Sequence, residues 1–439
     1  MKRRRLTALC APFVLALAAD EPRSEIMKWQ DGKKACVSLT YDDSSINQFR
    51  IALPLMNERG LPGTFFIITG GLPGSRNKAT FAGRPIMEIL RESETIPTTR
   101  DNVLERSSAV WYLRDVQRLE ELRDYNVQRA GRMITQGNFE AVNAALAKLR
   151  QTGTEYTVRE RQRNPESGSR LTWDEFRKYA AQGHEFASHT VSHPFMPALD
   201  EANILYEAEK STEDIREQLG PKHTFSIECP YGIHDERVGR HVIPKFPLTR
   251  NWVTDDFMDG IMRGDSRNPK ESKKEYVQWQ RGPLARTTLE QMKEWIDTSL
   301  DHGIWLVLVI HGVEGIGWEA QPTERIRAYF DYIKEREPRL WVATFQDGAK
   351  YARERMKSTV VTKQAGGALE VNVTHSLDPK LYDVPLTVRT PAPSNWKAAR
   401  FRQGRDSRAI PVHRDGNGAY VMYRVAPNAG VARLSPESP

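Results

Sequence analysis

The sequence predicts an α/β fold: a distorted barrel of seven strand–helix units with a helical insertion, followed by a small C-terminal β-sandwich. Short apolar runs that fit buried strands alternate with amphipathic helical segments, which is typical of a parallel sheet. Polar side chains follow several of these runs directly, at the strand ends where barrels of this class carry their chemistry. From about residue 357 onwards, short runs of alternating polarity lie between turn residues, which indicates antiparallel β-structure.

The 439 residues, of which 39% are hydrophobic, are enough for two or three domains with a sizeable core. We expect a signal peptide at 1–19, a barrel at 20–357 and an accessory β-sandwich at 358–439. The first region has a basic start, a short apolar run and small residues at its end, although an ordinary N-terminal helix would also fit. The apolar run is too short to span a bilayer. An exported protein, periplasmic or secreted, is therefore expected.

The formal net charge of +7 is a weak argument for a nucleic-acid partner. Removal of residues 1–19 would take away four basic and no acidic residues, which leaves +3. The remaining chain has no basic cluster with interleaved aromatic residues, so no nucleic-acid partner is expected. Its two cysteines, Cys36 and Cys229, lie in apolar contexts that fit buried thiols or, after export, one disulfide. The sequence predicts no transmembrane segment and does not fix the oligomeric state.

The first strand–helix–strand unit is the most regular part of the predicted barrel. Cys36–Leu39 fits a buried strand, residues 47–59 fit a helix and Thr64–Thr69 fits the next strand. The alternation then stops, and residues from about 75 to 170 are polar, charged and helix-leaning. We interpret them as a helical insertion that forms a lid or a substrate wall, or else as a solvated helical hairpin without a direct role.

The alternation resumes at Thr172, where Thr172–Glu175 fits a capping box that opens a helix. The strand that follows carries two histidines. The run Ile304–Ile310 is the strongest strand signal in the chain and leads directly to His311. The remaining predicted elements are a helix at 200–219, strands at 224–228 and within 241–252, helices at 288–303 and 322–336, a strand at 340–345 and a helix at 347–356.

Ser188–His193 contains two histidines four residues apart, and on a helical turn their imidazoles would share one face. Asp43 follows the first predicted strand and can supply a third ligand. A set of two histidines and one carboxylate leaves positions open for water and substrate, as a catalytic Zn²⁺ ion requires. Such an ion would lower the pKa of its bound water and polarise a carbonyl group. The sequence therefore predicts a divalent metal site, with zinc as the expected ion, held by Asp43, His189 and His193.

Further polar groups at strand ends predict acid–base chemistry beside this site. Asp42 precedes the carboxylate ligand and would face another side of the strand, so it can act as a general base. His311 is placed to be the general acid, and the turn at Tyr231 can aim a backbone N–H at a developing oxyanion. Each residue alone also fits a helix cap or a polar strand terminus. Their shared position at strand ends favours metal-assisted hydrolysis of an acyl group.

These motifs resemble those of the polysaccharide deacetylases of carbohydrate esterase family four, the NodB-homology type, over roughly residues 28 to 356. Thr40–Asp43 resembles the first family motif, which implies that Asp42 is the base and Asp43 a metal ligand. Ser188–His193 is similar to the second motif, which implies that both histidines are ligands. The family fold is a distorted seven-stranded barrel, and its usual ion is zinc or another divalent metal.

Three further stretches carry the resemblance more weakly. Pro230–Gly232 resembles the end of the third motif, which implies an oxyanion role for the backbone of Tyr231. Leu308–His311 resembles the fifth motif, which implies that His311 is the acid and that Leu308 lies near the acetyl pocket. Leu248–Trp252 stands where the fourth motif supplies an aspartate and a groove-lining tryptophan, so Trp252 is a candidate for substrate binding.

Two positions depart from the family pattern. The third motif begins with an arginine two residues before the proline, and this chain has Glu228 there. The fourth motif supplies an aspartate that tethers the arginine, and this chain has Arg250 in that stretch. We interpret the difference as an exchange of charges, with Arg250 near Asp42 and the substrate, and with Glu228 holding Arg250.

The sequence thus predicts an exported, metal-dependent hydrolase that removes acetyl groups from an N- or O-acetylated polysaccharide. A non-haem iron oxygenase also uses two histidines and a carboxylate, but that function would leave Asp42 and His311 without a role. The other alternative is a glycan-binding protein on a catalytically degenerate deacetylase scaffold, which the change to Glu228 would permit. Release of acetate separates the enzyme from the binding protein.

Overall fold

The computed structural model describes residues 23–152, 171–232 and 235–437. The predicted signal peptide at 1–19 lies outside these residues. They divide into an α/β unit, residues 27–357 with 376–386, and a β-rich unit, residues 23–26, 358–375 and 387–437. Within the described part of the chain, no helix is both long enough and apolar enough to cross a membrane.

The α/β unit is built on one parallel sheet, so the predicted α/β class is confirmed, while the closure of the sheet into a seven-unit barrel stays a prediction. Nine strands occur in its described residues, where the sequence predicts seven. The prediction missed Met258–Ile261 and Tyr276–Arg281 because no α-helix separates them, so the alternation on which it depended is absent there. The order of the strands is Leu248–Thr249, Ser226–Ile227, Glu185–Ser188, Thr64–Ile67, Ala35–Tyr41, Trp305–Ile310, Tyr276–Arg281 and Met258–Ile261, with Leu340–Val342 also paired to Ala35–Tyr41.

Eleven α-helices occur in the described residues, and their caps follow the sequence. Thr172 and Glu175 form the predicted capping box, and Thr288 with Gln291 forms a second one. Gly303 ends its helix in the left-handed conformation, which a glycine adopts without steric cost. The helices are Leu53–Glu58, Ile86–Thr95, Val103–Trp111, Val127–Thr135, Glu140–Gln151, Trp173–Ala180, Glu201–Leu219, Glu236–Val242, Leu289–His302, Thr323–Glu335 and Phe345–Lys357.

The described part of the insertion is helical as predicted and contains four of these helices between residues 86 and 151, while residues 153–170 of the predicted insertion lie outside the described residues. It has a hydrophobic core of its own, in which Val110, Tyr112 and Leu146 are completely or almost completely buried. The same core includes Ile204 of the long helix that follows the histidine loop. The insertion is therefore packed onto the α/β unit and is not a hairpin surrounded by solvent.

The central strands fix where the candidate site lies. All seven residues of Ala35–Tyr41 are buried, and Tyr41 lies opposite Ile310 in the parallel ladder. The backbone N–H of Asp42 then donates to the carbonyl of Ile310 at 3.0 Å. Because the two strands end in register, the residues that follow them, Asp42 and His311, emerge side by side.

The C-terminal β-rich region predicted from residue 358 is present. Its strands pair antiparallel wherever a register is defined, and Asp406–Asp415 pairs with one neighbour in its first half and with another in its second. The order is Glu25–Ile26, Leu386–Pro391, Gly418–Val425, Asp406–Asp415, Ala398–Gln403, Ala432–Pro436, Ala368–Thr374 and Thr359–Ala365. Their arrangement as a sandwich stays a prediction.

Cys36 and Cys229 are both buried free thiols, so of the two alternatives the structure favours unpaired cysteines. Burial raises the pKa of both thiols well above the ordinary value, which makes them poor nucleophiles.

Candidate active site

One cavity of about 500 Å³ at the carboxyl ends of the strands collects most of the residues singled out by the sequence. It is open to solvent on one side. The predicted residues that line it are Asp42, Asp43, His189, His193, Tyr231, Arg250 and His311. They come from five separate stretches of the chain, so only the fold brings them together.

Asp43, His189 and His193 form the three-residue cluster within the described residues that could hold a metal ion. The Nε2 atoms of His189 and His193 lie 3.4 and 3.1 Å from Oδ1 of Asp43. That oxygen is buried and has no hydrogen-bond partner of acceptable geometry. Three donor atoms that face one another without hydrogen bonding are suited to a shared cation, and this set fits the predicted divalent ion.

His189 and His193 were predicted to share one face of a helical turn, and this prediction is wrong. Residues 189–193 form an irregular loop, in which Thr190 and His193 have φ of 68° and 63°. The backbone N–H of His193 donates to Oγ1 of Thr190 at 3.0 Å, which turns the chain back on itself. Asp43 also lies in the left-handed region, with φ of 71°. Local backbone strain, which is common at functional sites, here directs the three side chains to one point.

Two side chains hold this loop in place. Nδ1 of His189 bonds to the carbonyl of Glu228 at 2.7 Å, which fixes the proton on Nδ1 and leaves Nε2 to face Asp43. The buried carboxylate of Glu207 accepts from the backbone N–H of Ser192 at 2.8 Å and from its hydroxyl group. Burial raises the pKa of Glu207 to about 7.

Asp42 is buried against Arg250. The guanidinium donates from Nη1 to Oδ1 at 2.8 Å and from Nη2 to Oδ2 at 2.5 Å, and its Nε lies 3.4 Å from Oε2 of Glu228. Burial is the largest single influence and opposes ionisation of Asp42, but the charge and hydrogen bonds of Arg250, together with His311 and His189, outweigh it and keep the pKa of Asp42 below its usual value. Burial and the charge of Asp42 raise the pKa of Glu228 to about 7, despite the opposing effect of Arg250. Asn251 also donates to Glu228.

His311 faces the same carboxylate from the other side. Its Nε2 lies 3.5 Å from Oδ2 of Asp42, and its ring makes a T-shaped contact with that of Trp318 at a centroid distance of 4.8 Å. Burial lowers the pKa of His311, although Asp42 partly offsets the shift. The side-chain amide of Gln48 joins the two strand ends, because it donates to the carbonyls of Asp42 and His311 at 2.5 and 2.7 Å.

Tyr231 lines the same cavity beside the histidine loop. It has φ of 62°, and the N–H of Gly232 closes the turn by donating to the carbonyl of Cys229 at 3.0 Å. The Tyr231 ring lies 5.0 Å from that of His193. Burial raises the pKa of its phenol, while a hydrogen bond with Gln128 acts in the opposite direction. Gln128 belongs to the insertion, so the insertion contributes directly to the cavity.

Two predicted substrate-binding residues lie away from the cavity lining. Leu308 is completely buried in the core, and Val309 lines the cavity instead. The reason is that side chains alternate along a strand. Val309, two residues before His311, lies on the same face of the sheet as His311, whereas Leu308 lies on the opposite face. Trp252 packs against the hydrophobic core of the insertion. Arg250, also expected to bind substrate, lines the cavity, but two of its guanidinium nitrogens donate hydrogen bonds to Asp42.

Several residues that line the cavity were not predicted from the sequence. Trp318, and not Trp252, is the tryptophan that lines the cavity, and it is 48% exposed. Gln280 belongs to the unpredicted strand Tyr276–Arg281, and Arg263 lies in the turn that follows the unpredicted strand Met258–Ile261. Trp318 follows His311 by seven residues in a loop, and a loop position has no periodic signal that could have indicated it.

A family model described as polysaccharide deacetylase matches residues 128–249. The resemblance to the polysaccharide deacetylases is confirmed. The deacetylase match begins within the insertion and includes Ser188–His193 and Tyr231, whereas Asp42, Asp43 and His311 lie outside it.

The similarity of this deacetylase-like chain to a curated relative is low. The chain is 23% identical over 282 residues to a gellan lyase of Bacillus sp., a match that covers 60% of this chain and 11% of the gellan lyase. The chain thus spans about a tenth of the length of the curated relative it matches.

Solved structures similar to the deacetylase-like chain include the Xyl-CE4 domain of a multidomain xylanase from the hindgut metagenome of Trinervitermes trinervoides. That match has 13% identity and a TM-score of 0.34, and covers 72% of this chain and 89% of the other. For the chitin deacetylase of Colletotrichum lindemuthianum, the identity is 15% and the TM-score 0.33, with 72% and 87% covered.

Proposed function

We propose that the protein is an exported, divalent-metal-dependent hydrolase that removes acetyl groups from an N- or O-acetylated polysaccharide. One observation carries the proposal: the Asp42–His311 pair and the Asp43–His189–His193 cluster line the same open cavity. A carboxylate and an imidazole 3.5 Å apart, beside a ligand set, are the groups that acyl hydrolysis needs. The family match over residues 128–249 supports the acetylated-polysaccharide substrate.

The nitrogen and oxygen ligands of Asp43, His189 and His193 suit a catalytic Zn²⁺ ion, which is the proposed metal because Asp42 and His311 beside it fit hydrolysis. Such an ion would supply Lewis acidity, which makes water more acidic and polarises the acetyl carbonyl. The protein supports this by presenting the Nε2 atoms of both histidines toward the oxygen of Asp43.

Asp42 is the proposed general base. Its low pKa keeps it ionised at neutral pH, and Arg250 fixes the plane of the carboxylate. It accepts the proton that the attacking water loses as the new C–O bond forms. A carboxylate held this way is a weak base, so the reaction depends on a water molecule that has been made more acidic.

His311 is the proposed general acid. Its Nε2 lies 3.5 Å from Oδ2 of Asp42, so it can receive the proton that Asp42 takes from the attacking water. It delivers this proton to the sugar nitrogen or oxygen as the bond to the acetyl carbon breaks, so that acetate and a free amine or hydroxyl group result. The backbone N–H of Tyr231 is the proposed donor to the oxyanion. The left-handed φ of Tyr231 is a sparsely populated conformation, and such conformations persist where the surrounding structure imposes them.

The contact between Arg250 and Asp42 argues against the degenerate-scaffold alternative. The family arginine is replaced by Glu228, but a guanidinium still holds the proposed base, and Glu228 in turn lies 3.4 Å from that guanidinium. The charges are exchanged between two positions and remain together in space. The proposed base therefore keeps a cationic partner.

The test is release of acetate from a panel of acetylated glycans, including chitin oligomers and acetylated xylan. Zinc-loaded protein, chelated protein and the isosteric variant Asp42→Asn are compared. We expect release that depends on the metal and falls by at least about 100-fold in Asp42→Asn. Release that survives chelation would contradict the metal dependence. Binding of a glycan without any acetate release would favour the binding-protein alternative.

A further inference from the structure

The cavity contains two guanidinium groups with different surroundings. Arg250 is only 2% exposed and is held by Asp42 and Glu228. Arg263 also lines the cavity, but its side chain is exposed, and its guanidinium carbon lies 5.0 Å from the ring centre of Trp318. Arg263 therefore stands at the open side of the cavity, on the face of an exposed aromatic ring.

Within the described part of the chain, no direct ion pair neutralises Arg263, although the charges of Asp42, Glu228 and Asp43 act on it from the same cavity. In residues 23–152, 171–232 and 235–437, no ion pair within 4.0 Å and no hydrogen bond involves its guanidinium. Two acidic residues of the same segment form ion pairs with Arg267 instead, Asp259 at 3.0 Å and Asp265 at 2.8 Å. Among the described residues, the guanidinium of Arg263 thus lines the cavity with no salt-bridge or hydrogen-bond partner, and its donors are free for a ligand.

The backbone leaves room for this side chain. Gly282 follows the neighbouring strand, and a Cβ atom there would lie 2.8 Å from Cδ of Arg263 and 2.5 Å from the carbonyl oxygen of Val309. A larger residue at position 282 would displace the arginine from the cavity. The path of Arg263 along the edge of the site therefore depends on a glycine.

A guanidinium presents its donors as a planar fork that matches a carboxylate, and it remains charged at any ordinary pH. Trp318 beside it offers a flat apolar face of the kind on which a sugar ring can pack. On the basis of the proposed function, we propose that Arg263 and Trp318 select an acidic substrate: an acetylated polysaccharide with a uronic acid carboxylate next to the acetylated sugar.

The experiment uses two polymers with the same acetyl content: O-acetylated polygalacturonate and the same polymer after reduction of its carboxyl groups to alcohols. The measured quantity is the ratio of kcat/KM for the acidic polymer to that for the reduced one. We expect a ratio of about 10 or more in the wild-type protein, because a charge-assisted hydrogen bond is lost on reduction. The preference is also expected to fall as the salt concentration rises from about 0.05 to 0.5 M.

Arg263→Gln is expected to lower this ratio about tenfold, and Arg263→Lys to retain part of it. Arg267→Gln is the matched control, since it removes an arginine of the same segment that pairs with Asp259 and Asp265 outside the cavity. It should leave the ratio unchanged. A ratio near 1 in the wild-type protein, or one that Arg263→Gln does not change, would overturn the inference.

The proposed function and this inference fail in different ways. Acetate release from neutral glycans with no preference for the acidic polymer would overturn only the role of Arg263. If no polymer releases acetate, the role of Arg263 can still be tested by equilibrium binding of the same two polymers to the wild-type protein and to Arg263→Gln. Tighter binding of the acidic polymer that depends on Arg263 would support the inference, and equal binding would overturn it.

Discussion

Arg250 donates two hydrogen bonds to the carboxylate of Asp42, although the two residues are 208 positions apart in the chain. Its guanidinium also lies 4.7 Å from the ring centre of Phe66, which packs against the flat face of the group. The pair is almost completely buried. A buried ion pair of this kind is expensive to break, because the remaining charge is left without a partner.

Replacement of Arg250 by alanine is expected to lower the free energy of unfolding by about 3 to 5 kcal/mol. It should also lower kcat/KM by at least about 100-fold and raise the apparent pKa of the acid limb of the pH–rate profile. The rise follows because Arg250 favours the ionised form of Asp42. Urea unfolding and the pH dependence of acetate release are the measurements.

The milder variant Arg250→Lys keeps the charge but loses the two-pronged geometry. It should fold and show a smaller shift in the acid limb. If both variants left the rate and the acid limb unchanged, Arg250 would have no influence on the catalytic base, and the proposed role of Asp42 would be contradicted.

Replacement of His193 by alanine is expected to weaken Zn²⁺ binding by more than about 100-fold, since one of three protein ligands is removed. His302→Ala, which changes a histidine at the end of a helix remote from the cluster, is the control. Competition with a chromophoric chelator measures the affinity. Equal affinity in the two variants would show that the ion is bound elsewhere.

The pH dependence of stability should reveal the buried carboxylate of Glu207. Its folded-state pKa is about 7, above the value near 4.3 expected in the unfolded chain. Between these values the folded state holds a proton that the unfolded state has lost, so stability falls as pH rises. The metal-free wild-type protein should therefore lose about 1 to 3 kcal/mol between pH 4.5 and 7 relative to Glu207→Gln.

Thermal unfolding at a series of pH values checks this difference. Glu213→Gln is the control, because Glu213 lies on the same helix but pairs with Lys210 at the surface. Its stability curve should run parallel to that of the wild-type protein. Parallel curves for Glu207→Gln as well would show that Glu207 does not change its protonation on unfolding.

The insertion is expected to influence polymeric substrates through Gln128. Gln128→Ala should raise KM for an acetylated polymer about fivefold, the loss of about one hydrogen bond. A small aryl acetate that does not reach the insertion should be hydrolysed with an unchanged KM. Gln136→Ala changes an exposed glutamine at the end of the same helix and is the control. An equal effect on both substrates would contradict the substrate-wall interpretation.

The strand ends explain why much of the site could be predicted from the sequence. Trp305–Ile310 is a continuous apolar run buried along its whole length, and such a run has few alternatives to a central strand. Once it and Ala35–Tyr41 were placed in a parallel sheet, Asp42 and His311 had to emerge at the same edge. The spacing within Ser188–His193 then indicated the metal cluster, although not the loop geometry that forms it.

The rest depended on three-dimensional packing. Met258–Ile261 is only partly buried and contains a glycine, so its strand character comes from pairing with Tyr276–Arg281 and not from its own pattern. Arg263 follows this strand by two residues, so the position of the strand beside Tyr276–Arg281 brings it to the cavity. Trp252 and Trp318 are both tryptophans near the site, and only the packing of the insertion determines which one the cavity receives.

The left-handed residues of the site limit how far this protein could be made more heat-resistant. Asp43, Thr190, His193 and Tyr231 all have positive φ, and each such residue costs about 1 to 2 kcal/mol compared with a glycine. The sum is comparable with much of the net stability of an ordinary domain. Glycine substitutions would recover it, but at three of the four positions they would delete a proposed ligand or a cavity side chain. Gains in thermostability must therefore come from the surface and the core, and the active site would remain the first region to loosen on heating.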